Sequence, residues 1–167
     1  MKGITPCLWF DNQAEEAARF YTSVFKNSRV GAINHYGEAG SKVSGQPKGS
    51  VMMVAFELAG QKFLGLNGGP IFKLSEAISL TVNCEDQQEI DEYWAKLSEG
   101  GSEGECGWLK DKYGLSWQVV PTGLEQMMQD KDAERSERVM AAVLTMRKFD
   151  VDALKRAYEG TESTVAV

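Results

Sequence analysis

Histidine and cysteine, the side chains best suited to acid–base or nucleophilic chemistry near neutral pH, are few in this chain and do not cluster along it. The single histidine, His35, falls on a predicted strand, where it would be a base, a hydrogen-bonding group or, as we favour, a strand-edge residue without a chemical role. Cys7, Cys84 and Cys106 are widely spaced and form no CxxC pair, which disfavours a disulfide framework or a zinc knuckle. A thiol becomes a thiolate beside a base or a positive charge, and no His or Arg stands near Cys7 in the sequence. We therefore predict no catalytic residue and interpret Cys7 as a small buried hydrophobic side chain.

Carboxylates occur in pairs, but their spacing places them on the polar faces of predicted helices. Glu15–Glu16 and Asp91–Glu92 are thus expected to be solvated surface rather than paired catalytic acids. The net charge of −6 argues against nucleic acid and anionic membrane as partners, because phosphate binding needs a basic face. No apolar run reaches the length of a membrane span, and the start lacks a signal-peptide stretch. Together with the unpaired cysteines, this predicts a cytoplasmic location.

The elements that would position these residues follow one order, given twice: a strand, a helix and a group of strands. In the first half, Asp11 or Asn12 would cap a helix whose apolar residues recur at helical spacing. The stretch 37–50 is rich in Gly, Ser and Lys and predicts a mobile loop. After Pro121 the pattern is purely helical, with Asp150 as the predicted cap of the last helix. The predicted strands are 4–10, 29–36, 51–58, 61–67, 77–83, 106–110 and 115–120.

The two halves of the chain also repeat faintly in sequence. At one constant offset, the first strand and helix fall on the second: Leu8 on Leu80, Phe10 on Val82, Asp11 on Asn83, Ala18 on Ile90, Tyr21 on Tyr93 and Phe25 on Leu97. At a slightly shorter offset the last strands coincide, with Gly60, Phe63 and Leu64 on Gly114, Trp117 and Gln118. Two copies of a small α+β unit predict that a cavity is enclosed by them.

Several stretches resemble the vicinal oxygen chelate superfamily, which includes glyoxalase I, extradiol dioxygenases and bleomycin-binding proteins. AEEAARFYTSVF is similar to its opening module, whereas ISLTVNCED, GWLKDKYGLSWQVVP and RVMAAVLTMRKFDVDALKRAYEG resemble its PhnB-like branch, often labelled 3-demethylubiquinone-9 3-methyltransferase. The resemblance implies an α+β fold of two βαβββ modules (the glyoxalase-like fold) that form a curled mixed-sheet cup, plus C-terminal helices and commonly a homodimer. It implies one domain at 1–160, with modules at about 1–70 and 74–121, a helical extension at 122–160 and a disordered tail at 161–167.

The metal enzymes of this superfamily take their ligands from the first and last strands of each module. The resemblance places these positions on or beside Pro6, Leu64, Ala77 and Gln118. A divalent site needs about four imidazole or carboxylate ligands, which proline, leucine and alanine do not offer and a Gln amide replaces poorly. We therefore predict that the chain lacks the metal of its relatives and that it needs no other cofactor.

The methyltransferase label has little physical support in the sequence. A nucleotide-type methyl donor usually docks where a strand, a Gly-rich turn and a helix dipole meet. The only Gly-rich candidate is FLGLNGGP, which is followed by Pro70 and Ile71 rather than by an immediate helix. We interpret its glycines as a chain reversal at the rim of the cup.

The remaining candidates for a site are aromatic and amide side chains on the strands. Aromatic rings would stack on a flat or apolar ligand and polar groups would orient it, although for any single aromatic we favour plain core packing. The candidates are Trp9, Phe63, Trp108 and Trp117 for stacking, with Asn67, Ser79, Gln118 and His35 as polar groups. Gln118 is the sharpest of them, because it interrupts an apolar run. The sequence thus predicts a metal-free protein that binds or sequesters an unidentified small molecule in an apolar pocket. The alternative is an enzyme of the same superfamily: a metal-assisted lyase, isomerase or dioxygenase, or a methyltransferase.

Overall fold

A computed structural model describes residues 3–161, and the chain divides into two compact units, Met1–Ser75 and Glu76–Val167. Of the disordered tail predicted at 161–167, residues 162–167 lie outside the described residues. The first unit contains β1 (Cys7–Phe10), α1 (Ala14–Val24), β2 (Arg29–His35), α2 (Glu38–Ser44), β3 (Val51–Leu58) and β4 (Gln61–Asn67). The second contains β5 (Ser79–Cys84), α3 (Gln87–Ser98), β6 (Ser102–Glu103), β7 (Trp108–Lys110), β8 (Ser116–Pro121), α4 (Leu124–Met128), α5 (Ala133–Val143) and α6 (Val151–Glu159).

Each unit is a βαβββ module around one mixed four-stranded sheet. The strand order is β1-β4-β3-β2 in the first unit and β5-β8-β7-β6 in the second. In both, the first strand pairs parallel with the last, and the other pairs are antiparallel. Neither sheet closes on itself, because the first and the last strand in each order are edge strands. The predicted α+β class and its two glyoxalase-like modules are confirmed.

The backbone pairing corrects the sequence repeat at its first strand. Phe10 pairs with Asn67, and its carbonyl accepts from the N–H of Gly68. In the second unit Cys84 pairs with Pro121, and its carbonyl accepts from the N–H of Thr122 in the same way. Phe10 is therefore equivalent to Cys84 rather than to Val82, and the other equivalences proposed for β1 shift by the same two residues.

The helices of the two modules are displaced by one residue from the proposed alignment. The buried residues of α3 are Ile90, Trp94 and Leu97, which match Ala17, Tyr21 and Val24 of α1. Burial at helical spacing is a stricter guide than residue similarity, which had equated the two tyrosines. The alignment of the last strands is confirmed. Leu64 pairs with Cys7, and Gln118 pairs with Thr81, which is the residue equivalent to Cys7 after the two-residue shift of the first strand.

The first turn of α1 is capped from a distant strand, not by its own preceding residues. The side chains of Asp11 and Asn12 make no cap, and Gln13 at the N-cap position makes none either. Instead, Oδ1 of Asn67 on β4 accepts the N–H of Ala14 at 2.8 Å. The local prediction was wrong because a buried amide on the sheet supplies the acceptor that helix termini need.

Two further local features complete the fold. The stretch predicted as a mobile loop contains the exposed helix α2, which is supported by a Lys42–Glu38 ion pair at 2.9 Å and ends at Gly45 with φ 75°. The predicted cap of α6 is confirmed, as Asp150 accepts the N–H of Ala153 at 2.8 Å. No helix in residues 3–161 is long and apolar enough to cross a membrane.

Candidate functional site

Each sheet buries one face under helices and leaves the other face open. On β4, Phe63, Gly65 and Asn67 are buried, whereas Leu64 and Leu66 between them are only half-buried. Because side chains alternate along a strand, the first set faces α1 and the second set faces the open side. The same alternation on β8 buries Trp117 and Val119 and directs Gln118 to the open face.

Two of the predicted site residues are committed to the core of the first unit. The ring of Phe63 stacks on Phe56 with centroids 5.4 Å apart. Asn67 is 5% exposed and uses its whole amide locally: besides capping α1, its Nδ2 donates to the carbonyl of Val51 at 3.0 Å. Its backbone carbonyl accepts the hydroxyl of Tyr36 at 2.7 Å. Asn67 therefore fastens α1 and β3 to β4.

Trp9 lies over the Gly-rich turn rather than over an open cavity. Its indole N–H donates to the carbonyl of Gly69 at 2.8 Å, and its ring meets Phe72 edge-on at 4.9 Å between centroids. A Cβ on Gly68 would lie 2.1 Å from that ring, so the turn needs glycine for close packing. Gly68 of FLGLNGGP thus has a packing role beneath Trp9.

His35 and Cys7 both lie at exposed positions on the first sheet. His35 is at the end of β2, where the pairing with β3 is irregular. Cys7 was interpreted as buried, and that was wrong: on β1 the buried positions are Leu8 and Phe10, so alternation directs Cys7 outward. Partial desolvation nevertheless raises the pKa of its thiol, which disfavours the reactive thiolate.

The open face of the first sheet carries a groove of about 360 Å³. Its floor is apolar, with Ala55 and Leu64 among its lining residues. At one end Glu57 pairs with Arg29 at 2.6 Å and lies opposite Lys62 on the neighbouring strand. The carboxylate of Glu57 is thus satisfied within the sheet by Arg29, whereas Lys62 is exposed to water.

The open face of the second sheet is polar and holds three of the predicted site residues. Nε2 of Gln118 donates to Oγ of Ser79 at 2.8 Å, across the parallel pair of β8 and β5. Trp108, half-buried on β7, is the register partner of Gln118 on its other side. Trp117 faces away: it is 2% exposed, and its indole N–H donates to Oδ2 of Asp111 at 2.8 Å.

A small cavity of about 140 Å³ adjoins this face and contains residues that the sequence had not indicated. Its lining includes Ser102, Ser116, Lys110 and Glu76, together with Trp108. Lys110 and Glu76 form an ion pair. Ser116 is 1% exposed, and its Oγ has no hydrogen-bond partner in the described part of the chain. A serine is common in strands and turns alike, so nothing in its sequence context marked it.

The positions expected for metal ligands do not supply suitable donors. In the sheet register, the neighbour of Leu64 on the first strand is Cys7 rather than the expected Pro6. The neighbour of Gln118 is Thr81 rather than the expected Ala77. A thiol of raised pKa, a hydroxyl and an amide do not match the imidazole and carboxylate ligands of a divalent site. Within residues 3–161, no group of three or more His, Cys, Asp or Glu residues is arranged to hold a metal ion.

Comparison with known proteins agrees with the two-module fold. The profile of the 3-demethylubiquinone-9 3-methyltransferase family matches residues 2–120. A putative 3-demethylubiquinone-9 3-methyltransferase, the PhnB protein of Bacillus cereus, is 36% identical over 72% of this chain and 100% of its own, with a TM-score of 0.64. A protein of Pseudomonas aeruginosa is 20% identical over 72% and 98% of the two chains, with a TM-score of 0.59.

A more distant structure shares the fold alone. The fosfomycin resistance protein FosX of Listeria monocytogenes is 15% identical over 78% of this chain and 99% of its own, with a TM-score of 0.53. No curated protein matches the chain. The family profile, which covers well over half of the residues, and the Bacillus relative are decisive. The chain belongs to the PhnB-like 3-demethylubiquinone-9 3-methyltransferase family of the vicinal oxygen chelate superfamily.

Proposed function

We propose that the chain binds a small molecule without a metal, on the open face of its second sheet. The observation that carries this proposal is the hydrogen-bonded pair of Gln118 and Ser79 beside the half-buried ring of Trp108. The amide keeps an oxygen and a second N–H for a ligand, and the ring offers a surface for stacking. Half-buried polar groups beside an aromatic surface are typical of small-molecule sites.

The same geometry favours binding over the chemistry of the metal enzymes. Gln118 occupies a position where those enzymes are expected to hold a ligand, and its counterpart in the first module is Leu64. Neither side chain is a competent divalent ligand. The Gly-rich turn is filled by Trp9, which leaves no room at Gly68 for the close approach of a methyl donor. The enzyme alternative therefore has no supporting contact in the described residues.

We further propose that the protein acts as a homodimer in the cytoplasm. Large apolar side chains are exposed on the first unit, including Ile4, Ile71 and Phe72 at 83%, 75% and 62%. Such side chains are more often covered by a partner than left in water. The three cysteines are free thiols, which suits a reducing compartment. Light scattering coupled to size exclusion would show twice the mass of an 18.4 kDa chain.

The test of binding uses a matched pair of glutamine variants. A metabolite panel is screened against the full chain by ligand-observed NMR, and hits are measured by calorimetry. We expect Gln118→Leu to weaken binding about tenfold, since an unmade buried hydrogen bond costs about 1–3 kcal/mol. The exposed Gln61→Leu controls for the general effect of the substitution.

Three results would contradict the proposal. The first is equal affinity of Gln118→Leu and the parent protein for every ligand found. The second is stoichiometric zinc, nickel, manganese or iron in protein purified without chelator. The third is heat released on titration with a sulfonium methyl donor, which would favour the transferase alternative.

A further inference from the structure

A row of polar side chains crosses the whole second sheet on its open face. Ser79 pairs with Ser116, Ser116 with Lys110, and Lys110 with Ser102, so that each of the four strands contributes one residue. Ser102, Ser116 and Lys110 line the cavity of about 140 Å³. We call these four residues the polar row. Along the strands, Ser116 lies two residues from Gln118, and Lys110 lies two residues from Trp108.

Within the polar row, the hydroxyl of Ser116 is the group without a partner. It is 1% exposed, and none of the described residues accepts or donates a hydrogen bond at its Oγ. The neighbouring hydroxyl of Ser79 is already bound to Gln118 at 2.8 Å. A buried hydroxyl that is cut off from water costs free energy until it finds an acceptor. Ser116 therefore has a donor available inside the cavity.

Lys110 carries the positive charge of the row, and its partner is held only loosely. Its ammonium group pairs with Glu76, which precedes β5 and is 65% exposed. The hydrogen bond from Lys110 lowers the pKa of Glu76, which favours its carboxylate form. Ion pairs with an exposed partner contribute little to stability, and the partner exchanges readily. An ammonium also has three donors, of which one carboxylate oxygen takes one.

We infer that this cavity binds the carboxylate of a small organic acid, and that Glu76 stands in for that carboxylate when no ligand is present. The donors of Ser116 and Lys110 line the same cavity and would share one carboxylate. Trp108, two residues from Lys110 on the same face of β7, would stack on the flat body of the acid. This inference rests on the proposed function and names its ligand class.

The charges around the cavity explain why a ligand carboxylate would exchange with the carboxylate of Glu76. Glu103 also lines the cavity, but Trp94 donates its indole N–H to Oε1 of Glu103 at 2.9 Å. With Glu76 in place, the ammonium is already paired with one carboxylate, and a second one brought by a ligand would be repelled by it. A ligand carboxylate must therefore displace Glu76 from Lys110. Removal of the Glu76 charge should accordingly strengthen binding, which is the opposite of what loss of a ligand-contacting residue does.

The experiment uses benzoate as the probe, with benzyl alcohol and benzylamine as neutral and cationic counterparts. Each is titrated into the ¹⁵N-labelled full chain, and the Trp108 indole and Gln118 side-chain amide signals report the site. We expect benzoate to bind with Glu76→Gln about threefold more tightly than to the parent, because a weak competing ion pair is lost. Lys110→Met should weaken benzoate binding about tenfold, and Ser116→Ala by about fivefold, because each loses a hydrogen bond to a charged group.

Controls separate this inference from the function on which it rests. Glu99→Gln removes an equal charge from an exposed position and should leave the affinity unchanged. Lys110→Arg preserves the charge and checks that Lys110→Met has not merely unfolded the sheet. Unchanged or weaker binding by Glu76→Gln, or equal affinity for benzoate and benzyl alcohol, overturns the inference while leaving binding at Gln118 intact. If none of the three probes nor any ligand from the metabolite panel shifts the two reporter signals, both proposals fail.

Discussion

Replacement of Asn67 by alanine should destabilise the first unit severely, although the residue was a candidate for ligand binding. Its Oδ1 caps α1 at the N–H of Ala14, 2.8 Å away, and its Nδ2 satisfies the carbonyl of Val51 at 3.0 Å. Loss of a helix N-cap costs about 0.5–2 kcal/mol, and a buried carbonyl left without its donor costs about 1–3 kcal/mol. The expected loss in free energy of unfolding is about 2–4 kcal/mol.

Urea and thermal unfolding of the full chain measure this loss. Each kcal/mol lowers Tm by about 2–4 °C for a chain of this size, so we expect Asn67→Ala to unfold about 5–15 °C below the parent. Asn12→Ala is the matched control, because Asn12 stands next to α1 in sequence but its side chain makes no cap. It should cost less than about 0.5 kcal/mol, as exposed substitutions do. Equal effects of the two variants would refute the assignment of the cap to β4.

Three other perturbations test the packing of both units. Cys84 is fully buried, and that burial, followed by the nearby acidic charges, raises the pKa of its thiol to about 12. Iodoacetamide at pH 8 should therefore spare Cys84 until urea is added, whereas Cys7 should react because it is exposed, although slowly because its own pKa is also raised, as mass spectrometry would show. Gly68→Ala would set a Cβ 2.1 Å from the ring of Trp9 and should cost about 1–3 kcal/mol, with a shifted tryptophan emission; an unaltered Tm would contradict the packing role of the turn. Asp150→Ala removes the cap of α6 and should cost about 1 kcal/mol in urea unfolding, whereas no change would show that the helix is held by packing alone.

The elements of the fold were predictable because hydrophobic periodicity reports local structure. The hairpin of β3 and β4, the alternation along β5 and the cap at Asp150 all follow from neighbouring residues. The cap of α1 does not, since its acceptor lies 53 residues away on β4. The helix α2 was also missed, because its Gly, Ser and Lys content favours a loop and its exposed face leaves no apolar stripe to read.

The candidate site was less predictable than the fold, for a reason visible on β8. Gln118 was found because a polar residue breaks an apolar run, which is a local signal. The direction of each aromatic ring depends on sheet register, which cannot be read from composition: Trp108 faces the open side, whereas Trp117 lies in the core. Ser116 was missed because its importance comes from burial without a partner, and burial of a serine leaves no trace in the sequence.

In both modules, the two faces of the sheet differ in the kind of side chain that they carry. Helix-facing positions in both modules are mostly apolar, since they form the core, and Asn67, which caps α1, is an exception. At the equivalent open-face positions, Leu64 lies beside Ala55 in the first module, whereas Gln118 lies beside Trp108 in the second. Open-face positions are released from packing and are therefore free to differ. This difference is the reason why we propose the polar ligand contacts in the second module.

The next row along each sheet sharpens the contrast. In the first module Glu57 pairs with Arg29 within the strands, and Lys62, opposite Glu57 in the register, is exposed to water. In the second, the equivalent row leaves Ser116 buried without a partner, and its lysine takes Glu76 from outside the strands. Groups that are paired or solvated gain little from a ligand, whereas a buried donor without a partner and an exchangeable ion pair both gain. The second module, not the larger apolar groove of the first, should therefore recognise the polar end of a ligand.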